Sequence, residues 1–291
     1  MKKKIFALGF FDGVHLGHQA LLSACCQLAT EQDAAACAVI FDLPPSAVLQ
    51  NSQPNMINTC DDRRKLLHTY GIGPIYIDST TPENLSRTWE AFLEELVSYG
   101  AAGFVCGADY RFGKNGAGNP EKLAKFAEER GLSCIIVPEQ TMDGEKISSS
   151  RIRTLLEQGD LENANRLLGH PHILSGTVIS GQKLGRTIGI PTANLHLPDV
   201  LLTPAFGVYA CTAQVEGHTY VAVTNIGIRP TVSGEGITVE PWILDFDGDL
   251  YGKEITLKFH HFIRPERKFD SLDALKTQIR EDAAQAYQLL K

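Results

Sequence analysis

The chain has 291 residues, of which 43% are apolar and 21% charged, with a formal net charge of −7. That length suits two domains with separate cores, and the composition is that of a folded globular protein. The acidic balance argues against a nucleic-acid surface, and no segment approaches the apolar length that crosses a bilayer.

Lys2, Lys3 and Lys4 precede an apolar run as in a signal peptide, but Asp12 and His15 interrupt it and no cleavage site follows. Residues 5–10 read as a buried strand, and Leu16, Ala20, Leu21 and Leu28 then recur at helical spacing. Gly9, Gly13 and Gly17 permit a sharp turn and close approach of the backbone between them. The helix entrance offers unpaired N–H groups at the positive end of its dipole. His15 and His18, three apart, point to one side of that first turn. The arrangement suits an anion; the same pair could also ligate a metal or merely cap the helix.

A second buried strand spans 34–41, and 43–45 is a loop. Thr59 caps a helix ending at His68, with Asp61 and Asp62 in its first turn and Gly71 beyond it. A short strand follows at 74–77, and a helix over 85–97 carries Leu85, Trp89, Phe92, Leu93 and Leu96 on one face. The sheet resumes at 104–106, Asn119 and Pro120 start a helix that Gly131 stops, and 133–137 is another strand. This alternation predicts a doubly wound parallel sheet with ligands beyond the carboxyl ends of its strands. The segments 107–118 and 146–153 follow strands and reach that edge. In the second of them, Ser148, Ser149 and Ser150 stand at a helix entrance with Arg153 one turn inside, a capping set or a holder of phosphates.

Helices at 151–158 and 161–168 are stopped by Gly169 and Pro171, which places a domain boundary between 1–169 and 170–291. Gly181 and Gly185 then bracket a loop carrying Lys183 and Arg186. Pro191 fixes the backbone before Thr192 and Asn194, two neutral oxygen ligands two residues apart. They suit Mg²⁺ beside phosphate oxygens, or simply a turn. Period-two strands at 207–215, 219–228, 237–246 and 254–263, around turns at 216–218 and 247–249, predict an all-β barrel or sandwich. Glu240 interrupts one of these apolar strands, as a functional carboxylate or a salt-bridged structural one. Ser271 and Asp273 open a last helix with Leu272, Leu275, Ile279, Ala283, Ala286 and Leu290 as its buried stripe. The seven cysteines, Cys25, Cys26, Cys37, Cys60, Cys106, Cys134 and Cys211, are odd in number and lack CxxC spacing, which suits reduced, buried thiols in a cytoplasmic protein.

Taken in order, GFFDGVHLGHQALL, GADYRFG, ISSSRIRTLLEQGD, LLGHP, GTVISGQKLGR, IGIPTAN, GVYA, TNIGIRPTV and DLYGKEI run over essentially the whole chain. The set resembles the bifunctional prokaryotic riboflavin kinase/FAD synthetases. The resemblance implies an N-terminal nucleotidylyltransferase-like, Rossmann-type α/β domain that transfers AMP from ATP to FMN and releases pyrophosphate. It also implies a small C-terminal β-barrel with a terminal helix that phosphorylates riboflavin. By the same resemblance Gly9, Phe11, Asp12, His15, Gly17, His18, Ser148, Ser149 and Arg153 serve ATP in the first domain, and Asp109 and Arg111 the flavin. In the second, Gly181, Lys183, Gly185 and Arg186 cover ATP, Thr192 and Asn194 bind Mg²⁺, and Glu240 is the base on the riboflavin 5′-hydroxyl. The implied substrates are riboflavin, FMN and ATP, with no nucleic acid or membrane partner, for a cytoplasmic monomer or weak homo-oligomer.

Three positions depart from the family pattern. The usual FxPHP is Phe41-Asp42-Leu43-Pro44-Pro45 without its histidine, the usual threonine of SSTxxR is Ser150, and Trp242 stands two residues beyond the base where histidine is common. They leave two rivals: a riboflavin kinase with a degenerate first domain, and a flavin-responsive binding or regulatory protein.

Overall fold

The computed structural model describes residues 2–179, 189–231 and 234–290, which pack into two units, Met1–Ser149 and Ser150–Lys291. In the first, β1 (Lys4–Leu8), β2 (Ala35–Phe41), β3 (Ile75–Asp78), β4 (Ala101–Gly107) and β5 (Ser133–Val137) form one sheet in the order β3-β2-β1-β4-β5. Every pairing in it is parallel. Ile5 and Ala7 face a core with Leu22 and Cys25 of α1 (Leu16–Glu31) and Leu67 of α3 (Cys60–Thr69). Phe6 and Leu8 face another, with Phe92 and Leu93 of α5 (Trp89–Ser98) and Leu123 and Phe126 of α6 (Pro120–Glu129). A strand covered on both faces has no polar side, hence its unbroken apolar run. The chain runs outward from β1 to β3 and returns to β4, so the strand order reverses beside β1 and the crevice opens at the carboxyl ends there.

Local details differ from the sequence reading. Residues 85–97 are not one helix: α4 (Pro82–Leu85) ends and α5 starts afresh, because Thr88 is extended and its hydroxyl accepts the Ala91 N–H at 3.2 Å. Pro45, read as loop, opens α2 (Pro45–Gln50), since proline suits a first helical position. A small hairpin of β6 (Thr141–Met142) and β7 (Glu145–Lys146) turns through Asp143 and Gly144, at φ 57 and 78. Cys25, Cys37, Cys106 and Cys211 are buried free thiols. Burial pushes Cys25 and Cys106 up to about 12 and Cys37 up to about 11, which leaves them unreactive filling.

In the second unit α7 (Ser149–Gln158) and α8 (Leu161–Leu168) precede six strands: β8 (His172–Ile179), β9 (Asn194–His196), β10 (Gly207–Val215), β11 (His218–Thr231), β12 (Gly234–Ile243) and β13 (Glu254–Pro265). They close into a barrel in the order β10-β11-β12-β9-β8-β13. The alternation did not single out β8 and β9, which supply the closure. The last helix, α9 (Leu272–Leu290), packs Ala283 and Ala286 against Val208, Ala210, Val223 and Leu244. Its expected stripe is corrected at the start, where Leu272 is 66% exposed because the helix meets the barrel only further along. Asp282, 2% exposed, receives Arg264 of β13 through Nε at 3.0 Å and Nη2 at 2.7 Å, a two-point pair that fixes the helix rotation.

Helix α8 is tied to the barrel. Leu161, Ala164, Leu167 and Leu168 are buried, and Asn165 donates to the Phe259 carbonyl at 2.9 Å while accepting the His172 N–H at 2.8 Å. The packing division therefore comes at 149/150, ahead of the helix stops at Gly169 and Pro171.

His172 is 1% exposed, and both of its ring nitrogens are enclosed without a hydrogen-bond partner among the described residues. Burial, helped by His170, lowers its pKa from 6.5 to about 3. Between those values the unfolded chain binds a proton that the folded one refuses. This part of the stability is complete above 6.5 and is lost as pH falls below it. Thermal melts should show the barrel losing stability from pH 7.5 to 5, with a shallower loss in His172→Leu. Equal pH slopes in the two proteins would show that His172 does not resist protonation.

Candidate functional site

The chain leaves β1 through Gly9 and turns at Phe11 (φ 58), Gly13 (φ 80) and Val14 (φ 41) before α1 begins. Positive φ at a β-branched residue is strained and persists only where the surroundings enforce it. Phe11 and Val14 are buried, and a Cβ at Gly9 would lie 2.9 Å from the Phe11 ring. The buried Asp12 carboxylate accepts the N–H groups of Ile57 and Asn58 at 3.0 and 3.2 Å. Asp12 thus clamps the turn from beneath, and its carbonyl accepts the Ser149 hydroxyl at 2.9 Å.

His15 caps α1, its Nδ1 accepting the His18 N–H at 3.3 Å. With Nδ1 occupied as an acceptor, a neutral His15 carries its proton on Nε2. The two rings stack with centroids 3.7 Å apart and planes 15° off parallel. Gly17 leaves them room, since a Cβ there would lie 3.1 Å from the His15 ring. Burial holds the His18 pKa well below 6.5, with His15 and then Arg63 adding to the shift. His18 is therefore neutral at pH 7, with Nδ1 enclosed and without a hydrogen-bond partner among the described residues. The stacked pair stands beside the first N–H groups of a helix, with the His18 imidazole neutral.

Gly9, Phe11, Asp12, His15, Gly17, His18 and Ser149 are brought to one sheet edge. Ser148 is half-buried just before α7, and Arg153, half-buried one turn inside α7, packs with the second unit. Asp109 and Arg111 follow β4 in an exposed loop. Asp109 accepts Lys146 Nζ at 2.6 Å, and hydrogen bonds from Lys146 to Asp109 and Glu139 raise the Lys146 pKa.

Sequence reasoning passed over Arg63. It is 0% exposed, and its Nη1 donates to the carbonyls of Phe10 and Phe41 at 2.7 and 2.9 Å while Nη2 donates to that of Asp42 at 2.8 Å. Its guanidinium carbon lies 4.4 Å from the centre of the Phe10 ring. The available signal was helical phase: Arg63 stands one turn before Leu67 on the buried side of α3.

The second unit presents a different surface. Glu240 of β12 pairs in register with Asn225 of β11, and Val239 with Leu195 of β9. The Ala193 N–H donates to the Pro241 carbonyl at 2.9 Å, so the antiparallel register sets Asn194 opposite Glu240. Asn194, Glu240 and Asn225 form a row across three strands. Val208, the partner of Asn225, packs under α9, so the row lies on the outer face of the barrel. Thr192 lies just before β9, and an extended backbone there would put it on the side of Asn194. Asn225 also donates to Glu266 at 3.2 Å, and sequence reasoning missed it although it stands in the TNIG string. Pro191, Thr192, Ala193, Pro241, Phe246 and Tyr251 line an open pocket, reached by the residues that alternate with the row. Gly181, Lys183, Gly185 and Arg186 lie outside the described residues.

Residues 1–151 match the family model for FAD synthetase, and residues 168–290 match that for riboflavin kinase. A bifunctional riboflavin kinase/FMN adenylyltransferase from Listeria monocytogenes is 39% identical, covering 96% of this chain and 90% of its own. One from Bacillus subtilis is 36% identical, covering 98% and 92%. A solved structure described as a macrolide-efflux protein from Streptococcus pneumoniae superposes with a TM-score of 0.87 at 32% identity, covering 98% of this chain and 94% of that one. Among the described residues no helix is long and apolar enough to cross a membrane. With both family models matched and relatives aligned end to end, the chain belongs to the bifunctional riboflavin kinase/FMN adenylyltransferases, ATP-using enzymes that make FMN from riboflavin and FAD from FMN.

Proposed function

We propose that the first unit adenylates FMN at the end of β1 and that the barrel phosphorylates riboflavin at the row on its outer face. In adenylyl transfer the FMN phosphate attacks the α-phosphorus of ATP and pyrophosphate leaves. His15 and His18, with the N–H groups at the α1 entrance, steady the charge that develops on the phosphates. Ser148, Ser149 and Arg153 hold the β and γ phosphates, and Gly9, Phe11, Asp12 and Gly17 shape the turn. Asp109 and Arg111 meet the flavin, Asp109 exchanging its bond to Lys146 for one to the ligand.

In the kinase reaction Glu240 takes the proton from the riboflavin 5′-hydroxyl as that oxygen attacks the γ-phosphorus, and ADP leaves. The donors beside Glu240 are a hydroxyl and an amide carbonyl in register with it, hard neutral oxygens that suit Mg²⁺ once phosphate oxygens complete its shell. Thr192 and Asn194 would hold that ion, which neutralises phosphate charge when bound. Gly181, Lys183, Gly185 and Arg186 close over the ATP. The enzyme works on small molecules in the cytoplasm, as a monomer or weak homo-oligomer, with no nucleic acid or membrane partner. The observation that carries the kinase half is the Asn194–Glu240–Asn225 row.

Fragments test the division. Ser150–Lys291 keeps α8, Asn165 and the whole barrel, so it should fold and turn riboflavin into FMN with Mg²⁺ATP while making no FAD. A fragment starting at His170 loses the Asn165 bonds and should melt several degrees lower. Met1–Gly169 keeps Arg153 and should adenylate supplied FMN; Met1–Ser149 lacks it and should do so at least 10-fold more slowly, as when one charged phosphate donor is removed. The measurement is chromatographic separation of FMN and FAD over time. FAD made by Ser150–Lys291 alone would overturn the division of labour, and FMN as the sole product of the full chain would leave a riboflavin kinase with an idle first unit.

A further inference from the structure

Among the described residues Arg63 forms no ion pair, and its hydrogen bonds go to main-chain carbonyls. A fully buried guanidinium that no carboxylate contacts is costly, and the attraction of Cys60, Asp12 and Asp42 from beyond ion-pair distance leaves burial the larger effect, so a purely apolar side chain there would be the cheaper packing solution. The three carbonyls it gathers are not scattered. Phe10 is the second residue past β1, Phe41 is the last of β2, and Asp42 begins the connection to α2. Arg63 thus ties together the carboxyl ends of two neighbouring parallel strands, immediately before the turn that carries His15 and His18. Phe10, on whose ring it stacks, is followed directly by Phe11, the first residue of that turn with positive φ. The Asp42 carboxylate is bound separately by Thr80, through its N–H at 2.7 Å and its hydroxyl at 2.6 Å. The hydrogen bonds of the guanidinium therefore read backbone position.

We propose that Arg63 is a positioning residue for adenylyl transfer: its planar fork sets the spacing between the ends of β1 and β2, and with it the place of the strained turn that presents His15 and His18. Nη1 alone bridges the Phe10 and Phe41 carbonyls, while Nη2 adds that of Asp42 and the plane lies over the Phe10 ring; lysine brings the same charge but neither the second nitrogen nor the plane, so it holds the two strand ends less firmly. The nearness of Arg63 to His18 also contributes to keeping that imidazole neutral. The inference rests on the assignment of His15 and His18 to adenylyl transfer.

The test uses the full chain and the substitutions Arg63→Lys and Arg63→Gln, with riboflavin phosphorylation in the same molecule as the control. A shift of the turn by a fraction of an ångström to 1 Å misplaces the imidazoles relative to the α-phosphate, and such misplacement costs roughly 10²-fold in rate. Arg63→Lys should therefore lower kcat for FAD formation by about that factor, with KM for FMN and ATP within about twofold, because ground-state contacts are kept. Arg63→Gln should do at least as much, and FMN formation should stay at the wild-type rate in both. A wild-type kcat in Arg63→Lys overturns the proposal. So does loss of folded signal in both variants, or a parallel fall of both activities, since either makes the residue merely structural. His18→Ala run alongside separates the failures: if it also leaves FAD formation untouched, the site assignment has failed, and if it alone is impaired, only the role of Arg63 has.

Discussion

The Glu240→Gln enzyme should phosphorylate riboflavin roughly 10² to 10⁴ times more slowly than the wild type, the span usually lost with a positioned general base. The exchange is nearly isosteric and keeps the strand pairing of Glu240 with Asn225, so the barrel should melt as before. What disappears is the acceptor for the 5′-hydroxyl proton. FMN supplied from outside should still become FAD at the normal rate, because nothing in the sheet unit depends on the barrel carboxylate. The measurement is the time course of FMN from riboflavin with FAD from added FMN as the control. Normal riboflavin phosphorylation would return Glu240 to the ranks of structural carboxylates.

His18→Ala should be the mirror image, with FAD formation reduced by about 10² or more and FMN formation intact. Removing one preorganised donor from a site of developing phosphate charge typically carries that size of effect. The substitution also unstacks His15, whose ring lies 3.7 Å away, so the loss should exceed that of a donor acting alone. Because α1 caps through the His15 ring and the His18 main-chain N–H, the helix start survives the truncation. Kinetics on the full chain with FMN and ATP decide it, and an unchanged FAD yield would remove His18 from the chemistry.

Much of this was legible because the local rules and the global fold agree. The unbroken apolar run at Ile5 to Leu8 belongs to a strand buried on both faces, and Thr59 caps α3 through the Asp62 N–H as its position suggests. The single long helix over 85–97 failed because apolar spacing continues across Thr88 while the backbone does not. β8 escaped because its first five residues are all buried and only the last three alternate, so it loses the clean period of a half-exposed strand. Candidate site residues stand out where they cluster along the chain, as in HLGH and IPTAN. Arg63 and Asn225 did not, because their meaning depends on what other segments deliver to them: three carbonyls in one case, a cross-strand carboxylate in the other.

With Glu240 as the proposed base, the row of Asn194, Glu240 and Asn225 would make the kinase reaction a gauge of how the barrel strands are threaded. Side chains alternate between the outside and the inside of a barrel, so sliding β12 by one residue along β11 would turn Glu240 inward and bring Val239 or Pro241 to the surface. Turnover of riboflavin would then cease while the hydrogen-bond ladder, and the circular dichroism that reports it, stayed nearly the same. A misthreaded barrel would pass as folded by spectroscopy and fail by catalysis. For any variant altered in the hairpin between β11 and β12, FMN production per folded molecule is thus the more searching test of correct assembly.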